Sequence, residues 1–263
     1  MFYYELHAHT NVASLCSLVN PEDYVKFYMD RGFSGMVVTD HFYYGNTSIN
    51  RRLPWDSFVD EFCEGYYRVK REGDKHGFTV LFGFEQKFMD GTDEYIVLGI
   101  SPEWLKAHPE IRDMERTRFF KFIRNEGGFI IQAHPFRERY YVSDIRLALD
   151  EVDAIEVMNL GDMDKHSRRS FEYANNLGLI MTAGSDIHSI ENFPVVAGVG
   201  LDKKISTVEE LIKEIREGRA QIAPSEKFEQ IKQLPLDENV ELPVLKLTDE
   251  GLEYTENYFA KKI

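Results

Sequence analysis

Short apolar runs alternate with longer amphipathic ones along most of this chain, and that alternation leaves few folds open. Phe33–Thr39, Phe78–Phe84 and the runs YIVLGI (95–100), FIIQA (129–133), AIEVMN (154–159), LIMTAG (179–184), VVAGVGL (195–201) and AQIAP (220–224) have the length and composition of buried strands. Between them lie segments with apolar residues at helical spacing. One opens at Asn20-Pro21, carries Tyr24, Phe27 and Tyr28 as its stripe and closes at Arg31-Gly32. Others are Trp55–His76 before Gly77, Ile111–Glu126 before Gly127-Gly128, a short Ile145–Leu149, and Lys165–Leu177 before Gly178. The last is Ser206–Glu217, with a Ser206–Glu209 capping box. Strand–helix alternation of this kind predicts an α/β fold, a parallel sheet with helices packed outside it. Closed into a barrel, the sheet places the C-terminal end of each parallel strand on one face. The pattern predicts that barrel over residues 1–224. Residues 225–263, where it fades, form an extension packed on the barrel or trailing from it.

The strands end in a recurring way. MFYYEL runs into His7-Ala8-His9, and alternation along a strand points both imidazoles to one side. Phe33–Thr39 ends in Asp40-His41, Phe78–Phe84 in Glu85, FIIQA in His134, and LIMTAG in Ser185-Asp186-Ile187-His188. Ionisable groups are costly inside a protein unless paired, and a cation is the usual remedy. Mixed nitrogen and oxygen donors suit Zn, Mn or Fe rather than Mg or Ca. The donors outnumber the four that one zinc takes, so two or three ions are expected.

Composition sets outer limits. Asp and Glu number 45 against 31 Lys and Arg, a formal charge of −14, so nucleic acid and anionic membranes are unlikely partners on field alone. A phosphorylated small substrate requires local cations to overcome that field. Two cysteines, Cys16 and Cys63, argue against a disulfide scaffold and for a reducing, cytoplasmic setting. No segment has the length and apolarity of a membrane span or the pattern of a signal peptide. The sequence carries no signal for an oligomeric state.

Taken in order, HAHT (7–10), TDH (39–41), GFE (83–85), AHP (133–135) and GSDIH (184–188) resemble the motifs of the PHP (polymerase and histidinol phosphatase) domain family of metal-dependent phosphoesterases. The resemblance covers about Met1 to Ala223, and IEVMN at 155–159 is similar to a later family segment. It implies a distorted, TIM-like barrel of seven strand–helix units with its metals at the C-terminal ends of the strands. It also implies roles. His7, His9 and Asp186 would bind a first ion, Glu85 would bridge it to a second held by His134, and His41 and His188 would hold a third. Asp40 would support its neighbours. The chain departs from the family twice. Cys16 stands in a loop where many members have Asp or His; it is either a thiolate ligand or a buried inert thiol. Glu94 stands where many have a histidine; it is either a ligand or an ordinary turn residue.

The reaction implied is attack of a metal-bridging hydroxide, held by Glu85, His134 and Asp186, on a small phosphate monoester. Arg137 is either a bidentate phosphate grip or a solvated surface arginine. Relatives acting on histidinol phosphate, a nucleotide or phosphotyrosine, a non-enzymatic metal-binding regulatory module, and hydrolysis of a carbon–nitrogen bond are the competing readings. His76, His108 and His166 read as solvated, and Cys63 as core or interface. Phe119, Phe120 and Phe122 read as core. Tyr140 and Tyr141 follow the His134 loop, within reach of a pocket.

Overall fold

The structure is a computed structural model; it describes residues 1–191, 193–248, 251–256 and 258–259. In chain order the elements are β1 (Phe2–Glu5), α1 (Pro21–Met29), β2 (Phe33–Val38), α2 (Trp55–His76), β3 (Thr79–Lys87), β4 (Glu94–Leu98), α3 (Pro102–Ala107), α4 (Arg116–Asn125) and β5 (Phe129–Gln132). There follow β6 (Ile145–Leu147), β7 (Ala154–Asn159), α5 (Asp164–Leu177), β8 (Ile180–Gly184), β9 (Gly198–Leu201), α6 (Val208–Arg216), β10 (Gln221–Ala223), α7 (Ser225–Gln233), β11 (Val244–Thr248) and β12 (Gly251–Tyr254). Among the described residues nine strands form one sheet in the order β10-β9-β1-β2-β3-β4-β5-β7-β8. The sheet is nearly closed and barrel-shaped, as expected, but it has nine strands among the described residues where seven strand–helix units were expected.

It is not uniformly parallel, however. β1, β2 and β3 run together, as do β5, β7 and β8, but β4 is antiparallel to both of its neighbours and β9 to β1 and β10. The six-residue link 88–93 is the reason: a parallel return needs a crossover of roughly a dozen residues or more, whereas a short link makes a hairpin. The consequence is functional. Because β4 runs backwards, its first residue, Glu94, lies at the same rim as the C-terminal ends of the parallel strands. The hairpin also carries β3 past Glu85, which pairs with Ile96 inside the strand rather than ending it.

At that rim the seam closes directly. The Asp186 N–H donates to the His7 carbonyl (2.8 Å), and Ala8 and Ile187 form a parallel bridge. The opposite end is filled by α6. Its Leu211, Ile212 and Ile215 join Tyr4, Val37, Leu81, Ile96 and Ile131 in the barrel interior, and Arg216 reaches the Gly128 carbonyl just before β5. That end is therefore closed to ligands by α6.

Four local expectations are corrected. Ile145–Leu149 is no helix; Ile145–Leu147 is β6, paired with β11 from a segment some hundred residues later. Ile111–Glu126 divides into a 3-10 turn at Pro109–Asp113 and α4, with Met114 and Glu115 extended between them. α3, capped by Ser101, was not anticipated. The capping box shifts by one residue to Thr207 and Glu210, because the same spacing fits both pairs. Beyond residue 224, α7 buries Ile231 against Met158, Ala183 and Ala197. Arg169, fully buried on α5, donates to the Asp237 carbonyl, the Asp237 carboxylate and the Asn239 carbonyl (2.8, 3.0 and 2.7 Å).

Candidate metal centre

Glu85 is the middle of the site. Its Oε1 lies 3.2 Å from His7 Nε2 and 3.4 Å from His134 Nε2, and its Oε2 lies 2.6 Å from His41 Nδ1 and 3.6 Å from His9 Nε2. Asp186 Oδ1 stands 3.1 Å from His9 Nε2 and 3.5 Å from His7 Nε2. Glu94 faces His41 at 3.8 Å and His134 at 3.7 Å, and His188 is tilted against the His9 ring at 4.8 Å. The structure thus brings together His7, His9, His41, Glu85, Glu94, His134, Asp186 and His188, contributed by six strands and the loops after them.

Backbone geometry holds these groups in place. His134 and Asp186 have φ of 28° and 54°, in the left-handed region that costs a non-glycine residue about 1–3 kcal/mol. Each is pinned there: the His134 N–H donates to Glu156 Oε2 (3.0 Å), and the Asp186 N–H donates to His7 as above. Glu156 Oε1 also meets His7 Nδ1 at 3.0 Å, which sets the ring and leaves Nε2 facing Glu85. Gly184 explains its place in GSDIH, since a Cβ there would lie 2.4 Å from the His7 Cβ and 2.6 Å from Glu156. Asp40 accepts from the Thr10 N–H, the Thr10 hydroxyl and the Ser14 hydroxyl (2.6–2.7 Å) and so braces the loop beyond His9.

Four contributors had no clear signal in the sequence. Glu5, fully buried, accepts from the N–H groups of Leu6, His7 and Ser185 and from the Tyr28 hydroxyl, tying β1 to the loop that carries Asp186. Burial pushes its carboxyl up to about 7 despite those bonds. Tyr24 and Tyr28, expected only as apolar stripe, use their hydroxyls here, Tyr24 donating to the His9 carbonyl at 2.6 Å. Asp162, in the loop after β7, contacts Arg137 and His166. A buried acid in an extended apolar run, or an aromatic that carries a hydroxyl, was the available hint.

The buried charges of the cluster shift one another, yet several of their atoms lack hydrogen-bond partners. Burial disfavours charge on Glu85 and Asp186, yet neighbouring His41 and His7 hold Glu85, and His7 and Arg137 hold Asp186, well below the usual carboxylate range. Burial likewise opposes charge on His7 and His41, and the facing carboxylates raise both well above the ordinary histidine value. His9, between His41 and His7, is pushed down to about 3, chiefly by burial. Despite the short separations, His7 Nε2, His41 Nδ1 and both Glu85 oxygens have no hydrogen-bond partner. Such orphaned buried atoms are rare and call for an unseen partner such as an ion. Among the described residues four overlapping groups present donor atoms within 4.8 Å of one another: His7–His9–Glu85, His41–Glu85–Glu94, His9–His41–His188 and His7–His134–Glu156. The donor set fits divalent ions.

His41, Glu94, Asp186 and His188 of the cluster line an open cavity of about 810 Å³, together with Cys16, Lys87, Arg137, Arg139, Tyr44, Tyr140 and Tyr141. Cys16 is partly exposed. Burial pushes its thiol up, but His188 and His41 beside it prevail and leave it at about 6. Arg137 is no surface arginine: it is 12% exposed and donates to Asp186 Oδ2 at 2.5 Å. Tyr140 is fully exposed at the mouth. Of the residues set aside, Cys63 lies in the core, as do Phe119 and Phe120, while His76 pairs with Glu72 at the surface. His108 stacks on Trp104 at 3.9 Å. His166 is a correction: it is buried between Asp162 and Glu138, because α5 turns it toward the loop after His134 rather than to solvent.

Comparison with known proteins bears on the family and the fold. The PHP domain model matches residues 5–188, and a PHP-associated model matches 165–220. No curated protein matches the chain in sequence. Among solved structures, a two-domain Bacteroides vulgatus protein containing a predicted PHP-like metal-dependent phosphoesterase superposes with a TM-score of 0.63 at 15% identity. That match covers 84% of this chain and 64% of that one, so this chain spans less than two thirds of the larger protein. A Bifidobacterium adolescentis protein described as a metal-dependent phosphoesterase gives 0.49 at 14% identity, covering 81% and 94% of the two chains. The lesion-specific endonuclease of Pyrococcus furiosus gives 0.49 at 13%, covering 84% and 57%. No helix among the described residues is long and apolar enough to cross a membrane. With its model matched over most of the chain and its motifs gathered at one rim, the chain belongs to the PHP domain family.

Proposed function

We propose that this protein is a metal-dependent phosphoesterase acting on a small phosphate monoester in the cytoplasm. The observation that carries the reading is the set of orphaned donor atoms around Glu85, whose neighbours His41, Glu94, Asp186 and His188 line a cavity together with Lys87, Arg137 and Arg139. Those cations offset locally the chain's −14 charge, which a phosphorylated substrate requires. His7, His9 and Asp186 would hold one ion, Glu85 and His134 a second, and His41 and His188 a third, with Glu94 and Cys16 completing the second and third sets. Zn, Mn or Fe suits these donors. Bound there, such ions would lower the pKa of water and offset charge on phosphoryl oxygens. The protein's own part is orientation: Glu156 sets the His7 ring, and Arg137 presents N–H donors beside Asp186.

The test is metal content of the purified protein together with release of phosphate from 4-nitrophenyl phosphate. Two or three ions per chain with chelator-sensitive, vanadate-inhibited turnover supports the reading. Bound metal without turnover of that ester, of common monoesters or of a short oligonucleotide would favour a regulatory metal module instead.

A further inference from the structure

A polar chain leads away from the rim toward the C-terminal extension. Asp162, almost fully buried, sits with Oδ2 3.4 Å from Arg137 Nε and Oδ1 3.2 Å from Arg139 Nη2. The same Oδ1 meets His166 Nδ1 at 2.9 Å and accepts from the Met163 N–H at 2.8 Å. On its other side, His166 Nε2 faces Glu138 Oε2 at 3.3 Å. Glu138 takes a 2.7 Å hydrogen bond from Arg169, and its Oε1 accepts from the Glu241 N–H, also at 2.7 Å. Arg169 is in turn clasped by residues 237–239.

Arg137 therefore lies between two carboxylates, hydrogen-bonded to Asp186 and ion-paired with Asp162 without a hydrogen bond between Nε and Oδ2. Asp186 takes its Nη2 edge, toward the cluster and the cavity, and Asp162 faces its Nε edge from behind. An arginine grips phosphate well only when its planar fork is fixed beforehand, since the long side chain otherwise loses rotamer freedom on binding. Asp186 cannot serve both an ion and Arg137 equally; when Asp186 turns to a cation, what still orients Arg137 is Asp162 facing Nε and Asn159 Oδ1, which accepts from Nη2 at 3.3 Å, and of the two only Asp162 carries charge. We propose that Asp162 is a positioning residue for Arg137, and that the segment 237–241 holds Asp162 in register through Arg169, Glu138 and His166. The C-terminal extension is thus part of how the site grips phosphate. This rests on the phosphoesterase reading above.

The experiment is a double-mutant cycle in the full-length, metal-loaded protein, with Asp162→Asn, Arg137→Ala and the pair. Two probes are read: 4-nitrophenyl phosphate for kcat and KM, and inorganic phosphate for Kd by calorimetry. Metal content and melting temperature are measured alongside. Asp162→Asn is expected to raise KM and the phosphate Kd about tenfold, the scale of one charge-assisted contact, with kcat and metal content little changed. In the Arg137→Ala background the same substitution is expected to shift either quantity by no more than about twofold, the remainder acting through Arg139. An effect of equal size with and without Arg137, or none in the wild-type background, would overturn the proposal. If Asp162→Asn does not fold, His166→Gln carries the same cycle with a smaller expected shift. A wild-type protein that neither hydrolyses the ester nor binds phosphate overturns the phosphoesterase reading itself, and this inference with it. An active wild type with an additive cycle overturns only the inference.

Discussion

Two sets of buried charges meet at the peptide between Asp93 and Glu94, and they are organised differently. On one side Arg116, 5% exposed, binds Asp93 through Nε and Nη2 and Asp90 through Nη1 and Nη2, all at 3.0–3.1 Å, and the Tyr95 hydroxyl donates to Asp93 at 2.6 Å. Both Asp93 oxygens have N–H or O–H donors aimed at them. On the other side Glu94 faces His41 and His134, and Glu85 sits among four imidazoles with neither oxygen hydrogen-bonded. Burial of charge is common to both. In the arginine knot, guanidinium geometry matches two carboxylates and the protein itself closes the set. In the rim cluster, several imidazole and carboxylate donor atoms converge without hydrogen-bond partners, an arrangement that suits a cation. The knot fixes the turn that delivers Glu94, so a structural cluster supports a chemical one.

The sharpest way to separate them is to remove one carboxylate charge from each. Glu85→Gln should lower kcat/KM by more than about a hundredfold, above the range found when groups that merely orient a ligand are lost, and should reduce metal content by at least one ion per chain. Asp93→Asn should leave metal content intact but destabilise the protein by roughly 3 kcal/mol, as breaking a buried pair does. Equal metal loss in both variants would mean that the two clusters act as one.

Chelation should split them the same way. Removing the ions is expected to lower the melting temperature reversibly, by an amount corresponding to about 3–4 kcal/mol if the free ion stood at a few hundred to a thousand times its Kd. The metal-free protein should still fold, because the knot, the α6 plug and the seam bonds of Glu5 need no cation. Differential scanning calorimetry with and without chelator, then with metal restored, checks this. Complete unfolding on chelation would show that the rim cluster is structural too.

Glu156→Gln gives a finer cut. Glu156 touches His7 and the His134 N–H, so it orients donors rather than completing the set. Metal affinity should fall tenfold to a hundredfold, roughly, with stability affected less than in Asp93→Asn. A loss as large as that of Glu85→Gln would place Glu156 among the ligands, as its grouping with His7 and His134 allows.

Much of this contrast is legible in the amino-acid sequence. Residues that end strands have to converge if the sheet curves into a barrel, so His7, His9, His41, His134, Asp186 and His188 are identifiable from position alone. Glu94 is harder. Its placement depends on β4 running backwards, which short-range pattern signals only through the brevity of the link at 88–93. The β6–β11 pairing and the Arg169 clasp join residues distant in sequence, and no local period encodes such contacts. His166 reads as solvated because its neighbours are polar, but those neighbours, Asp162 and Glu138, are its partners in the interior.

Asp162 offers the mildest test, through pH. Burial pushes its carboxyl up, but His166 and Arg137 prevail and hold it below the ordinary aspartate value of 3.8. A carboxyl depressed in the folded state adds stability that is fully present above about pH 4 and is lost as pH falls through the lower folded value. Asp162→Asn removes that contribution at every pH. In metal-free protein, where loss of ligands to acid does not intrude, the melting temperature of wild type should exceed that of the variant near neutrality. The gap should narrow once the pH passes below 4. A gap that stays constant down to pH 3 would show that Asp162 acts through shape and neutral hydrogen bonds. It would then resemble neither the arginine knot nor the rim, and the ionic hold on Arg137 would lose its basis.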